Sequence, residues 1–153
     1  MTRRFKIPRS VLVVIHTPAL EVLLIERADR PGYWQSVTGS LDREDEAPVD
    51  AAWREVAEET GLAAGELRDW AIDNVYEIYP VWRHRYAPGV THNREHVFSL
   101  ELPEPLPVVL APKEHLHYRW LPWREAAGLT ISWTNRDAII ALAARARSLP
   151  ANG

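Results

Sequence analysis

The chain has 153 residues, of which 46% are hydrophobic and 25% charged, as expected for a soluble domain with a substantial core. A formal net charge of −3 argues against a surface that coats nucleic acid, and the absence of cysteine excludes disulfides and thiolate metal sites. No apolar run is long enough for a membrane span or for the core of a signal peptide. We therefore expect one domain over residues 1–153 that works in the cytoplasm and has no membrane partner.

Hydrophobic periodicity predicts strands and helices along the whole chain. Strands are predicted where β-branched and aromatic residues cluster or alternate with polar ones, at 10–16, 22–27, 34–37, 67–79, 81–86, 95–102 and 117–123. The first two should form an antiparallel hairpin. Helices are predicted at 47–60 and 135–149, with a helical turn at 123–129, and Thr134 and Asp137 resemble a capping box for the last helix. This order indicates an α+β fold, a mixed sheet with a helix on each face.

The most informative segment lies in the helix at 47–60. Glu55, Glu58 and Glu59 are spaced i, i+3, i+4, which places three carboxylates on one helix face. Like charges repel there, whereas Mg²⁺ takes oxygen ligands and binds through a few carboxylates together with substrate phosphates. An acidic helix face is usually just solvated, so the neighbouring residues decide. Arg54 directly precedes the triad, and Glu46 lies eight residues before Arg54.

These residues match the box of the Nudix family. The match holds at every fixed position of residues 46–62, namely Glu46, Arg54, Glu55, Val56, Glu58, Glu59, Gly61 and Leu62. The preceding loop departs from the pattern, because six residues separate Gly39 from Glu46 where the family has five. Either Ser40 takes the place of the glycine or the loop is longer by one residue.

The resemblance to Nudix proteins implies a fold, a reaction and a role for each acid. The fold would be a Nudix-type α/β/α sandwich with a mixed sheet and helices on both faces. The reaction would be Mg²⁺-dependent hydrolysis of a diphosphate bridge, with Mn²⁺ as a substitute ion. Catalysis would fall to Arg54, which orients a carboxylate, to Glu55, and to Glu58, which is a further ligand or the base. The metal ligands would be Glu55, Glu59 and, from outside the box, Glu114. By contrast, His115 and His117 should share a strand face as ordinary polar positions.

Several runs outside the box resemble the branch of this family that cleaves dihydroneopterin triphosphate to the monophosphate and pyrophosphate in folate synthesis. They lie at 5–8, 34–40, 83–91, 93–95, 114–120 and 132–136. The resemblance implies a set of substrate-binding residues: Lys6, Arg27, Thr38, Tyr76, Glu77, Ile78, Tyr79 and Ser132. The two cations would meet phosphate, the two hydroxyls would donate or accept hydrogen bonds, and the stretch 76–79 would hold the pterin.

Alternatives remain open at this point. Tyr76, Ile78 and Tyr79 are as readily explained by strand packing, and not all of Arg83, His84 and Arg85 can face a phosphate if they lie on a strand. The box would equally suit a (d)NTP pyrophosphohydrolase that removes damaged nucleotides, or a module that binds a nucleotide without cleaving it. In each case the partner is a small phosphorylated molecule and not a nucleic acid, and the oligomeric state stays undetermined.

Overall fold

The computed structural model describes residues 4–148, with side chains up to residue 146. Seven strands build one mixed sheet. In chain order the elements are β1 (Arg9–His16), β2 (Glu21–Arg27), β3 (Trp34–Gln35), β4 (Val37–Ser40), α1 (Pro48–Thr60), β5 (Glu66–Glu77), a 3-10 helix (Pro80–Arg85), β6 (His92–Glu101), β7 (His115–Pro122), α2 (Trp123–Leu129) and α3 (Trp133–Ser148). The predicted α+β class is confirmed.

β1 is the centre of the sheet. It runs parallel to β6 over its full length and antiparallel to β4. β5 borders β6, while β2 pairs with β3 and β7. The predicted hairpin of β1 and β2 is paired next to its turn, through His16 and Val22. Residues 10–13 of β1 pair with β4 instead.

Both faces of the sheet are covered, which explains the continuous apolar run of β1. Alternate side chains of a strand point to opposite faces. Val11, Val13 and Ile15 belong to the core cluster that contains α1 residues, whereas Leu12 and Val14 belong to the cluster that contains α2 and α3 residues. The layers are therefore α1, sheet, and the α2–α3 pair, which is the sandwich that the sequence predicts.

The helix that carries the acidic triad has well-defined ends. Pro48 occupies its first turn, where a missing N–H costs nothing. Gly61 adopts the left-handed conformation with φ of 71° and donates its N–H to the carbonyl of Ala57. The predicted bounds of 47–60 are thus correct to within one residue.

Three local predictions are wrong or incomplete. The segment 81–86 is not a strand but the 3-10 helix, because Pro80 starts a turn and Trp82 packs on Tyr33 and Tyr79. The strand at 34–37 is split at Ser36 into β3 and β4. The last helix starts at Trp133, two residues before the predicted start. Its capping hydroxyl is therefore that of Ser132, which accepts the N–H of Asn135 at 3.5 Å, and not that of Thr134. Its predicted end at 149 lies outside the described residues.

Within residues 4–148, no helix has the length and apolar character needed to cross a membrane.

A reciprocal hydrogen-bonded pair ties the split strand to α3. The Ser36 N–H donates to Asn135 Oδ1 at 2.8 Å, and Asn135 Nδ2 donates to Ser36 Oγ at 2.9 Å, with both residues buried. Asn135→Ala should therefore lower the free energy of unfolding by about 1–3 kcal/mol, because it leaves buried polar groups unpaired. Urea denaturation measures this effect. The exposed neighbour Arg136→Ala is the control and should change it by less than about 0.5 kcal/mol. Equal midpoints for the two variants would contradict the assignment.

Candidate active site

The acidic face of α1 is divided between a buried and an exposed part. Glu59 is only 4% exposed, Glu55 is half-buried, and Glu58 is exposed. Burial raises the pKa of Glu55 to about 7, while Arg54 opposes the shift. Burial raises the pKa of Glu59 well above its ordinary value, and the charges of Glu55 and Glu114 add to that shift. Two carboxylates that resist ionisation are thus held beside each other, and a cation would remove that penalty.

Arg54 holds the carboxylates in place. Its Nε and Nη2 donate to both oxygens of Glu46 at 3.0 Å, a bidentate contact. Its Nη1 donates to Glu55 Oε1 at 2.8 Å, and its Nη2 also donates to the carbonyl of Ser40 at 3.0 Å. The buried carboxylate of Glu46 in turn accepts the N–H of Asp42 at 2.9 Å. A single guanidinium thereby joins α1 to the loop that precedes it.

The place of the glycine in the box is settled by a close approach. A Cβ on residue 39 would lie 2.1 Å from Cδ of Glu55, so only glycine lets β4 pass beside that carboxylate. Gly39 therefore keeps the position of the family's glycine. The additional residue lies in the loop between Ser40 and Glu46, which tolerates an insertion because it is exposed.

A second acidic contribution comes from the start of β7. Glu59, Glu114 and His115 each offer a ligand atom, and these atoms all lie within 4.8 Å of one another. The turn before β7 positions Glu114 and His115, because the carbonyl of Ala111 accepts both of their N–H groups at 3.0 Å. The fold thus brings together Glu59 and Glu114, two of the residues predicted as metal ligands. Glu55 stands beside it, against Gly39 and Arg54.

The prediction that His115 and His117 share a strand face is wrong. Between the paired positions β7 advances three residues, from His115 to Tyr118, while β2 moves back two, from Arg27 to Ile25. This bulge turns the chain, so that His115 is buried with Nε2 3.9 Å from Glu59 Oε1. His117 is exposed and contacts Glu26 at 2.8 Å.

The donor set suits a divalent cation. Oxygen ligands from two buried or half-buried glutamates and from Glu114 match the preference of Mg²⁺ or Mn²⁺. Burial lowers the pKa of His115, which keeps its ring neutral, and its buried Nδ1 has no hydrogen-bond partner among the described residues. The position of His115 was not predicted from the sequence, since only the bulge brings it to the acids.

Cations separate this acidic cavity from a second, aromatic one. Lys6, Arg27 and Arg85 line both cavities, as do Thr38, Gly39 and Ser40. Asp29 holds two of these cations, since it accepts hydrogen bonds from Arg27 at 2.7 Å and from Arg85 at 2.9 Å. Burial lowers the pKa of Lys6, and the neighbouring charges of Arg85 and Arg27 lower it further. Three converging cations form a site for an anion with several charges.

Lys6, Arg27 and Arg85 form a cationic wall between the two cavities, and the 3-10 helix determines which basic residue of 83–85 belongs to it. Of the cluster 83–85, Arg85 lines both cavities, and Arg83 instead pairs with Glu77. His84 is exposed. The predicted strand would have left this choice open, whereas the observed turn selects Arg85.

The aromatic cavity contains most of the predicted substrate residues. Tyr76, Ile78, Tyr79, Thr38 and Ser132 line it. The hydroxyl of Thr38 is already used, because it donates to the carbonyl of Val11 at 3.0 Å, and the Thr38 N–H donates to Glu59 at 3.3 Å. Glu77 does not line the cavity and is exposed, so the structure does not bring this predicted residue to the site.

Several lining residues were missed, among them Tyr33, Trp82, Tyr86, Asn93 and Glu95. The rings of Tyr33 and Trp82 meet edge to face at 5.5 Å, and the guanidinium of Arg27 lies 4.6 Å above the Trp82 ring. The sequence shows only that Asn93 and Glu95 stand two residues apart in the polar first half of β6. Such residues lie on the same face of the sheet.

The close approach at Gly39 yields a test of the metal site. Gly39→Ala should push the Glu55 carboxylate away from Arg54, and should weaken Mn²⁺ binding by about 10- to 100-fold with little change in stability. Titration calorimetry and thermal unfolding measure the two effects. Gly128→Ala is the matched control, because a Cβ there meets nothing within 4 Å. Unchanged Mn²⁺ affinity in Gly39→Ala would show that Glu55 is not needed for the metal.

Comparison with known proteins agrees with this geometry. The NUDIX domain family profile matches residues 6–142. Dihydroneopterin triphosphate diphosphatase from Escherichia coli K12 is 46% identical over 140 residues, covering 88% of this chain and 91% of its own. The protein of the same name from Haemophilus influenzae is 40% identical over 141 residues, covering 89% and 87%.

A solved structure of E. coli dihydroneopterin triphosphate pyrophosphohydrolase superimposes with a TM-score of 0.86 at 44% identity, covering 92% of this chain and 98% of that one. These similarities agree with the box, the sandwich and the site described above. The chain therefore belongs to the Nudix hydrolase family.

Proposed function

We propose that this protein hydrolyses 7,8-dihydroneopterin triphosphate to dihydroneopterin monophosphate and pyrophosphate, with Mg²⁺ as its ion and Mn²⁺ as a substitute. The observation that carries the proposal is the pair of cavities that share a cationic wall. A pterin triphosphate has a flat heterocycle at one end and a polyanion at the other. Its two ends match an aromatic cavity and an acidic, metal-binding cavity separated by Lys6, Arg27 and Arg85. The relatives described above carry the name of this reaction.

The metal-binding residues in this proposal are Glu55, Glu59 and Glu114. A divalent cation bound there would neutralise charge on the phosphates and make water more acidic. The unpartnered Nδ1 and the burial of His115 are compatible with a place beside this group.

The remaining residues position the substrate and move a proton. Lys6, Arg27 and Arg85 would neutralise charge on the triphosphate and so hold the substrate in place across the two cavities. Glu58 is exposed at the edge of the acidic cavity and would take a proton from the water that attacks phosphorus. The phosphorus–oxygen bond to the pyrophosphate then breaks, and pyrophosphate leaves. Arg54 does not itself line either cavity; in this scheme it holds the Glu55 carboxylate in place through the hydrogen bond of its Nη1.

We further propose that the substrate is a free small molecule in the cytoplasm. Both cavities are open pockets of this chain that a small molecule can enter, and a chain without cysteine fits a reducing compartment.

A substrate panel tests the reaction. Pyrophosphate release should be fastest with dihydroneopterin triphosphate, EDTA should abolish it, and excess Mg²⁺ should restore it. A higher kcat/KM for any of the common dNTPs would replace the proposal with nucleotide sanitation. Binding of triphosphates without pyrophosphate release would indicate a non-catalytic module.

Glu59→Gln tests the metal site through catalysis and through stability. Loss of a charged ligand should reduce kcat by on the order of 10²-fold or more, about 3 kcal/mol of transition-state stabilisation. The metal-free variant should be at least as stable as the parent, because a buried charge next to Glu55 and Glu114 is gone. Mg²⁺ should raise the melting temperature of the parent more than that of the variant.

The exposed Glu44→Gln in the loop before α1 serves as the control and should behave like the parent. A Glu59→Gln variant with near-parental kcat would remove Glu59 from the metal site.

A further inference from the structure

Two buried polar atoms in the aromatic cavity lack partners. Oε1 of Glu95 and Oδ1 of Asn93 have no hydrogen bond among the described residues, although the two residues are only 4% and 1% exposed. Both residues line the cavity. They stand two apart on β6 and therefore face the same side of the sheet. Polar atoms buried in this way normally have a partner, so the cavity floor calls for one.

The surroundings hold these residues without satisfying them. The Asn93 amide is fixed through Nδ2, which donates to Ser10 Oγ at 2.7 Å and to the Tyr76 hydroxyl at 3.1 Å. On its side, Glu95 has a hydrogen bond from the hydroxyl of Thr134. Burial raises the pKa of Glu95 to about 7, with no lysine or arginine of the described chain offsetting it.

The walls of the cavity restrict the shape of the partner. Burial raises the pKa of the Tyr76 and Tyr33 phenols, and both lie close enough to the Glu95 carboxylate for its charge to raise it further. Trp82 and Tyr79 complete an aromatic enclosure around the polar floor. A planar heterocycle fits between such rings, and its polar edge must then meet the floor.

Resting on the proposed function, we propose that Glu95 selects the heterocycle: its carboxylate accepts hydrogen bonds from two adjacent N–H donors, the ring N–H and the exocyclic amino group of a 2-amino-4-oxopyrimidine edge. Each carboxylate oxygen has two lone pairs, so the two oxygens of Glu95 can accept two parallel N–H groups beside the hydrogen bond from Thr134. The neighbouring carbonyl of the same edge faces the Asn93 amide, which presents an N–H once it turns over, because the hydroxyls of Ser10 and Tyr76 can donate as well as accept. Glu95 is thus a specificity-determining residue for the substrate class that carries this edge.

Glu95→Gln tests the assignment with little change in shape. An amide offers one acceptor and puts an NH₂ against the ligand's donors, so KM for dihydroneopterin triphosphate should rise at least tenfold while kcat stays within about twofold. Inorganic tripolyphosphate and dTTP lack the two-donor edge, and any hydrolysis of these should be unchanged. The matched control is Glu101→Gln, the same substitution further along β6, which should leave all KM values at the parental level.

A binding measurement separates this inference from the proposed reaction. Dihydroneopterin without phosphates, added to protein in EDTA, should quench tryptophan fluorescence through Trp82 and bind Glu95→Gln at least tenfold more weakly than the parent. A panel that finds another preferred substrate would remove the proposed function, whereas this titration would still measure the role of Glu95.

Three outcomes would overturn the inference. They are equal dihydroneopterin affinity in parent and variant, no measurable binding to the parent, or an equal loss of activity on all triphosphates. The last result would indicate a structural role, which thermal unfolding of Glu95→Gln would reveal as a lowered melting temperature.

Discussion

Mutual repulsion between buried carboxylates is the constraint around which this site is organised. Glu59 is almost fully buried and is flanked by the charges of Glu55 and Glu114, so ionising all three without a cation is unfavourable. The fold holds them together by covalent and packing forces: two are on one rigid helix, and the third is on the turn before β7. The unfavourable energy of the empty arrangement becomes binding energy when a divalent cation arrives.

Arg54 is what makes this arrangement definite. Four hydrogen bonds from its guanidinium connect Glu46, Glu55 and the carbonyl of Ser40, and thereby fix the loop before α1 against the helix itself. Gly39 is needed because it has no side chain: any side chain there would occupy the volume of the Glu55 carboxylate. The additional residue of the loop lies between Ser40 and Glu46, and both of these residues contact Arg54.

Charge changes sign twice along the site. The acidic cavity is followed by the wall of Lys6, Arg27 and Arg85, and the aromatic cavity beyond it ends at the buried carboxylate of Glu95. A metal ion, a polyphosphate and a hydrogen-bond-donating heterocycle would satisfy these regions in the same order. One extended molecule would therefore meet complementary charge at each point, which favours a single orientation of the substrate.

Local sequence was sufficient for the helix of the box, for the layers of the sandwich and for the acidic residues of α1. Spacing along one helix is a local property, and a continuous apolar run such as that of β1 already implies burial on both faces.

Tertiary structure alone decided the rest. The burial of His115 depends on a bulge in the pairing of β7 with β2, and the choice of Arg85 over Arg83 depends on a 3-10 turn where periodicity predicts a strand. Asn93 and Glu95 become a cavity floor only because β6 lies beside β1 while the rings of Tyr33 and Trp82 close over it from distant parts of the chain. A periodic pattern reports which face of an element is apolar, but which residues meet across elements depends on register and packing, and no single segment contains that information.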